Sequence, residues 1–143
     1  MKISLIQTNP QPDRTSNLAT ARKLMEEAMA NLLRNGDIDR HLKKANKIYH
    51  ERRDLLCGLL QSELKGRVEF CVPNGGFAVW TNFIGMPVKE ISLAASRQGL
   101  GMGTGEDYWH DARRRGNAVR LGFASLNEKE MTEAVGVLKK VMK

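Results

Sequence analysis

Residues Asn117 to Ala124 read NAVRLGFA, a strand-like run that places one arginine on a face with almost nothing beside it. A strand alternates its side chains between two faces, so Val119, Leu121 and Phe123 point one way and Arg120, Gly122 and Ala124 the other. Arg120 therefore has no bulky neighbour along its own strand. A guanidinium fork left open in this way can take a carboxylate edge-on through two charge-assisted hydrogen bonds. The plain alternative is an edge-strand arginine in water, the usual fate of a lone arginine.

Other groups offer less. Ser62-Glu63-Leu64-Lys65 has the Ser-x-x-Lys spacing of a serine acyl-transfer site, but it ends a long helical stretch and is followed by Gly66, which reads as an exposed last turn with a glycine cap. Cys57 falls in a helix and Cys71 beside an apolar run, so both read as small core or half-buried thiols, with no disulfide required. His41 and His50 share a predicted helix nine residues apart and His110 lies in a polar loop, a poor basis for a zinc site. Gly99, Gly101, Gly103 and Gly105 alternate, yet fit neither phosphate-loop spacing. They read as a strand end and a mobile turn, with Tyr108 and Trp109 as lid or packing aromatics.

The elements that must hold Arg120 follow from periodicity. Thr15-Ser16-Asn17 is an N-cap cluster for a helix running to about Arg34, on which Leu18, Ala21, Met25, Ala28 and Leu32 recur at three and four. Asn35-Gly36 stops it, and Asp37 or Asp39 caps a longer helix. On that helix Leu42, Ala45, Tyr49, Leu56 and Leu60 form one face while Arg52, Arg53 and Glu63 stay in water. Tyr49 reads as a core aromatic with a wet hydroxyl. Val68 to Val72 and Phe77 to Phe83 read as antiparallel strands, with Pro73-Asn74-Gly75-Gly76 as the hairpin turn. Asn127 with Glu130 is a capping-box signature, and Met131, Ala134, Val135, Leu138 and Val141 or Met142 make the buried stripe of the last helix. The fold class expected is α+β, a two-layer sandwich with a small, mainly antiparallel sheet and helices packed on one face. The organisation expected is residues 1–15 as a leader or strand, in which Ile3 and Leu5 alternate with polar residues, and residues 16–143 as a single domain.

A chain of 143 residues is about the modal domain size and can bury a core. No run approaches a membrane span and the start lacks a signal-peptide pattern, so no membrane partner and a cytoplasmic setting are expected. The net charge of +7 raises the question of nucleic acid. Apart from Arg113-Arg114-Arg115, however, the basic residues are scattered, and no nucleic-acid-binding signature accompanies them. A solvated basic surface is the simpler meaning.

From about residue 24 onward the motifs fall in a fixed order. A helix ends in NLLRNG and is followed by DIDRHLKKANKIYHERRDLL, Asp37 to Leu56; PNGGFAVW, Pro73 to Trp80, comes next. The helix Val88 to Gln98 precedes Gly99 and a short apolar strand, NAVRLGFASL follows, and a helix opening on Asn127 closes the chain. This pattern resembles the C-terminal small domain of fold-type-I pyridoxal-phosphate enzymes, in the branch shared by aminoadipate-type aminotransferases and MocR-like, GntR-like regulators. The resemblance implies that Arg120 binds a substrate's α-carboxylate, that an amino acid or keto acid is the ligand, and that Tyr108 is a candidate substrate-proximal residue. It also implies that pyridoxal phosphate belongs to the parent protein and not to the isolated chain. The Schiff-base lysine, the carboxylate facing the pyridine nitrogen and the phosphate cup lie on a large domain for which these 143 residues have no room. The turn Gly101 to Trp109, GMGTGEDYW, departs from the family's Pro-Gly-aromatic pattern.

The function expected is thus that of a small domain supplying the carboxylate arginine to an aminotransferase-like protein, itself inactive in transamination without the missing large domain as partner. The competing expectation is a free-standing, non-enzymatic module that uses the Arg120 pocket or the basic surface for a carboxylate ligand or acidic partner. A nonspecific nucleic-acid binder ranks below both. An orphaned small domain would expose an apolar face, which a homodimer would hide.

Overall fold

The computed structural model describes residues 13–108 and 116–143. Its elements are helix α1, Arg14–Arg34; helix α2, Asp37–Glu63; strand β1, Val68–Phe70; strand β2, Ala78–Phe83; helix α3, Val88–Ser96; strand β3, Ala118–Gly122; and helix α4, Glu128–Val141. A 3-10 turn, Glu106–Tyr108, lies between α3 and β3. The chain divides into two compact units, one ending at Asn46 and the other spanning Lys47–Lys143.

In the first unit, α1 is capped by Asp13, whose carboxylate accepts from the Ser16 N–H at 2.8 Å, and not by the Thr15-Ser16-Asn17 cluster. An aspartate in extended backbone one residue earlier reaches the same orphan N–H groups. Hydrogen bonds from Ser16 and Thr15 hold its carboxyl below the usual carboxylate range. The ion pairs Arg22–Glu26 at 2.9 Å and Lys23–Glu27 at 4.0 Å brace the helix surface, worth a few tenths of a kcal/mol each (~0.3). No residue of α1 is buried: Leu18 is 61%, Met25 59% and Leu32 42% exposed, so the expected stripe exists but is not a buried one.

The second unit is the α+β sandwich the sequence predicts. Its sheet has the order β1-β2-β3 and is antiparallel throughout, with Phe70 opposite Thr81, Val79 opposite Leu121 and Trp80 opposite Arg120. Val79, Thr81 and Phe83 of β2 and Val119 of β3 point into one buried layer. Leu56 and Leu60 from the end of α2, Leu64 just beyond it, Ile91 and Ala95 from α3, and Met131, Val135 and Leu138 from α4 cover it. Burying a side chain the size of Phe83 or Phe123 contributes roughly 1.5–3 kcal/mol, so this layer is the main stabilising element of the unit. The capping box on α4 is formed, with Asn127 Oδ1 accepting from the Glu130 N–H at 2.9 Å and the Glu130 carboxylate accepting from the Asn127 N–H at 2.7 Å.

Several expectations need correction. The β1–β2 ladder stops at Phe70 and Thr81, so the connection is a longer loop and not a tight turn at Pro73–Gly76. The segment after Gly99 forms no strand; it is tied to α3 by a bond from Ser92 Oγ to the Met102 carbonyl at 2.8 Å. Gly105 is buried and not part of a loose turn. Cys71 is exposed, because it lies beyond the end of the ladder, while Cys57 is buried as expected and both thiols are free. Leu42, assigned to the buried face of α2, is 50% exposed. Arg52 and Arg53 do not stay in water: Arg52 donates to the Ala124 carbonyl, and Arg53 Nη1 to the Pro73 carbonyl at 3.1 Å. The strand read at Ile3 and Leu5, together with Trp109, His110 and the Arg113–Arg115 run, lies outside the described residues.

Candidate functional site

Arg120 occupies the middle of β3 on the face turned away from the helices, and it is exposed. Alternation and pairing put Glu69, Ala78, Trp80, Asn82, Ala118, Arg120 and Gly122 on that outer face. Along its own strand Arg120 is open on one side, with exposed Gly122 as its outward neighbour, while on the other side Ala118 is buried. Across the ladder Arg120 is not open. Trp80 is its direct partner, 47% exposed, and packs edge-on against Tyr108 with ring centroids 5.1 Å apart. Residues paired in this way carry Cβ atoms roughly 4.5–5.5 Å apart, so the arginine and the indole rise side by side. Among the described residues, none forms an ion pair or side-chain hydrogen bond with the Arg120 guanidinium. The structure thus brings Arg120 and Tyr108 into one neighbourhood and adds Trp80, which pattern reading along a single strand missed. Its signal was the GGFAVW strand itself, whose half-buried Ala78 and exposed Trp80 share a face.

Three devices fix this face. Asn117, just before β3, donates through Nδ2 to the carbonyls of Phe83 at 2.6 Å and Met86 at 2.8 Å, and accepts at Oδ1 from the Val88 N–H at 2.5 Å. One amide therefore ties the end of β2, the start of α3 and the start of β3 together. Gly105, at φ +80°, packs so closely on β3 that a Cβ would lie 2.7 Å from the Ala118 carbonyl oxygen, an approach only glycine permits. Arg52 and Arg53, adjacent on α2, reach apart to the exit of β3 and to the β1–β2 loop.

Two concavities adjoin β3. One, of about 260 Å³, lies at the start of α3 between Val88, Lys89, Thr104, Glu106 and Asn117, and its Lys89–Glu106 ion pair, 3.2 Å, is internally neutralised. The other, of about 120 Å³, opens at the free edge of β3 beside Arg120 and Leu121 and is walled by Leu100, Met102, Leu126 and Met131. Only the second borders the arginine, so the larger hollow is the less informative. Elsewhere, burial pushes the Cys57 thiol above its ordinary value, with the nearby Arg53 charge opposing the shift, so Cys57 is an inert core thiol and not a nucleophile. Ser62 Oγ donates to the Leu59 carbonyl at 3.3 Å and Lys65 is exposed beyond the helix end, which leaves the Ser-x-x-Lys spacing without a site. No cluster of metal-ligating side chains occurs among the described residues, and no described helix is long and apolar enough to cross a membrane.

No protein-family model matches the chain. Similarity to individual proteins is clear. The chain is 27% identical over 111 residues to aromatic-amino-acid aminotransferase 1 of Thermococcus litoralis, a match covering 76% of this chain and 26% of that protein. It is 25% identical over 113 residues to the uncharacterized HTH-type transcriptional regulator YdfD of Bacillus subtilis, covering 78% of this chain and 23% of the regulator. In three dimensions it matches the multiple substrate aminotransferase of Thermococcus profundus with a TM-score of 0.68 and 28% identity, covering 77% of this chain and 27% of that one. The chain is similar to the C-terminal small domain of fold-type-I aminotransferases and MocR-like regulators. It spans about a quarter of the length of the curated relatives it matches. A structure of the same fold, LysN of Thermus thermophilus, is a complex with N-(5'-phosphopyridoxyl)-L-leucine. For such a cofactor the outer face of this sheet is not sufficient. Its strand positions carry an arginine, an indole, an amide and a glutamate, and no lysine that could condense with an aldehyde.

Proposed function

We propose that the chain, from residue 16 onward, acts as the small domain of a pyridoxal-phosphate-dependent aminotransferase-like protein and that Arg120 binds the α-carboxylate of an amino acid or keto acid. The observation that carries this reading is the placement of Arg120: exposed on the sheet face opposite α3 and α4, with no partner for its guanidinium among the described residues. A planar fork with its donors unspent is arranged for bidentate carboxylate recognition, and the sheet beneath it keeps the geometry fixed. Orientation is what such a contact contributes. Holding one end of an amino acid on a rigid strand presents its Cα in one attitude to chemistry supplied elsewhere in the protein.

The test uses the protein that carries this segment together with its pyridoxal-phosphate-binding portion. Arg120→Ala should raise the KM for the amino donor and lower kcat/KM by about a hundred-fold, as expected when one partner of a charged hydrogen-bonded pair is truncated. Unchanged kinetics would reject the assignment. Similarity to the Bacillus subtilis regulators favours a second setting, in which the same arginine site senses an amino acid without turning it over. There the arginine variant would lose ligand-induced changes in DNA binding, and no transamination would be seen in the parent.

A further inference from the structure

Trp80 is 47% exposed on a sheet face that could have carried a polar residue, and its ring is braced edge-on by Tyr108, itself 42% exposed. Neither aromatic belongs to the core. Trp80 is the cross-strand partner of Arg120, the one cation among the described strand positions of the outer face, and Tyr108 joins them through its contact with Trp80. A carboxylate docked on Arg120 must lay the rest of its molecule somewhere on this face. Toward one end lie the small side of Ala78 and the bare Gly122, which leave space without contact; the indole beside the arginine offers the only broad apolar surface among the outward strand residues described. Because Tyr108 already holds the indole plane, little rotamer entropy is lost when a ligand packs on it.

We propose that Trp80, braced by Tyr108, selects the body of the ligand at the Arg120 site and favours carboxylates with a flat aromatic body over short aliphatic ones. The inference rests on reading Arg120 as the carboxylate arginine. It adds what that reading lacks, a surface able to discriminate between carboxylates.

The experiment is an NMR titration of the 143-residue chain, following the Trp80 indole N–H and the Arg120 Nε–H. Trp109→Phe assigns the indole signal. The probes are 3-phenylpropanoate, propanoate and 3-phenylpropanol. The expected result is saturable binding of 3-phenylpropanoate about ten-fold tighter than propanoate, from an aromatic stacking contribution of that order, with 3-phenylpropanol weaker than 3-phenylpropanoate. Trp80→Leu should bring the two carboxylates to within about a factor of two of each other, while Trp80→Phe retains the preference, so a general loss of fold is distinguished from loss of the aromatic surface. Arg120→Gln should remove binding of both carboxylates. Equal binding of the two carboxylates, still dependent on Arg120, would overturn the role of Trp80 and leave the arginine assignment standing. Absence of binding, or binding indifferent to Arg120→Gln, would overturn both.

Discussion

Asn117 spends both ends of its amide on main-chain groups from three different segments, and that makes it the most constrained polar residue near the site. Removing it leaves two carbonyls and one N–H without partners in a half-buried position. Asn117→Ala should therefore cost about 2–3 kcal/mol, read as a lower urea midpoint with an unchanged slope. Asn117→Asp keeps the acceptor for Val88 and loses the donors, so it should fall between the wild type and the alanine variant. Nothing in the sequence distinguished this asparagine from a loop residue, because its partners lie about thirty positions away. Arg120 was legible for the opposite reason. The two-residue period of a strand is local, and it separates Val119 and Phe123 from the arginine without any knowledge of what pairs with what. Its neighbour Trp80 required the register, which is set by the whole sheet.

The elements divide along the same line. Helix α4 could be read almost residue by residue, since its capping box and its stripe of Met131, Val135 and Leu138 are local signals that the core then confirms. Glycines gave a poorer guide. Gly99 and Gly105 alternate in one run and have nearly the same φ, +83° and +80°, yet a Cβ at Gly99 would meet nothing within 4 Å, whereas at Gly105 it would strike the backbone of β3. Gly99→Ala should carry only the conformational cost. Gly105→Ala adds a clash that no side-chain movement relieves, and should destabilise the second unit by a further 1–3 kcal/mol or about that order in urea unfolding. Equal effects at the two positions would show that the close approach to Ala118 is absent in solution. The strand expected after Gly99 failed for a related reason: apolar alternation at Leu100 and Met102 is met here by packing against the core, without ladder hydrogen bonds.

At the scale of the molecule, the two units differ in how much holds them. Helix α1 has no buried residue, while β2, β3 and α4 surround a layer containing Val79, Phe83, Val119 and Met131, all at most 2% exposed. Amide exchange by mass spectrometry should accordingly show α1 exchanging orders of magnitude faster than α4 and β2 in the 143-residue chain. Comparable protection in α1 would mean that something covers its stripe of Leu18, Met25 and Leu32. The sequence pattern made that stripe visible and could not say whether it was covered, since periodicity records which face is apolar and not what meets it.

The adjacent pair Arg52 and Arg53 has a consequence for how this segment can vary. Both guanidinium groups end on main-chain carbonyls, those of Ala124 and Pro73, and not on side chains. Substitution at 124 or 73 keeps the acceptor whatever residue arrives, whereas substitution at 52 or 53 removes the donor outright. Mutational tolerance across these contacts should be one-sided: permissive at 73 and 124, and strict at 52 and 53 on the helix. A lineage could then vary these two loops without disturbing the frame on which Arg120 is mounted.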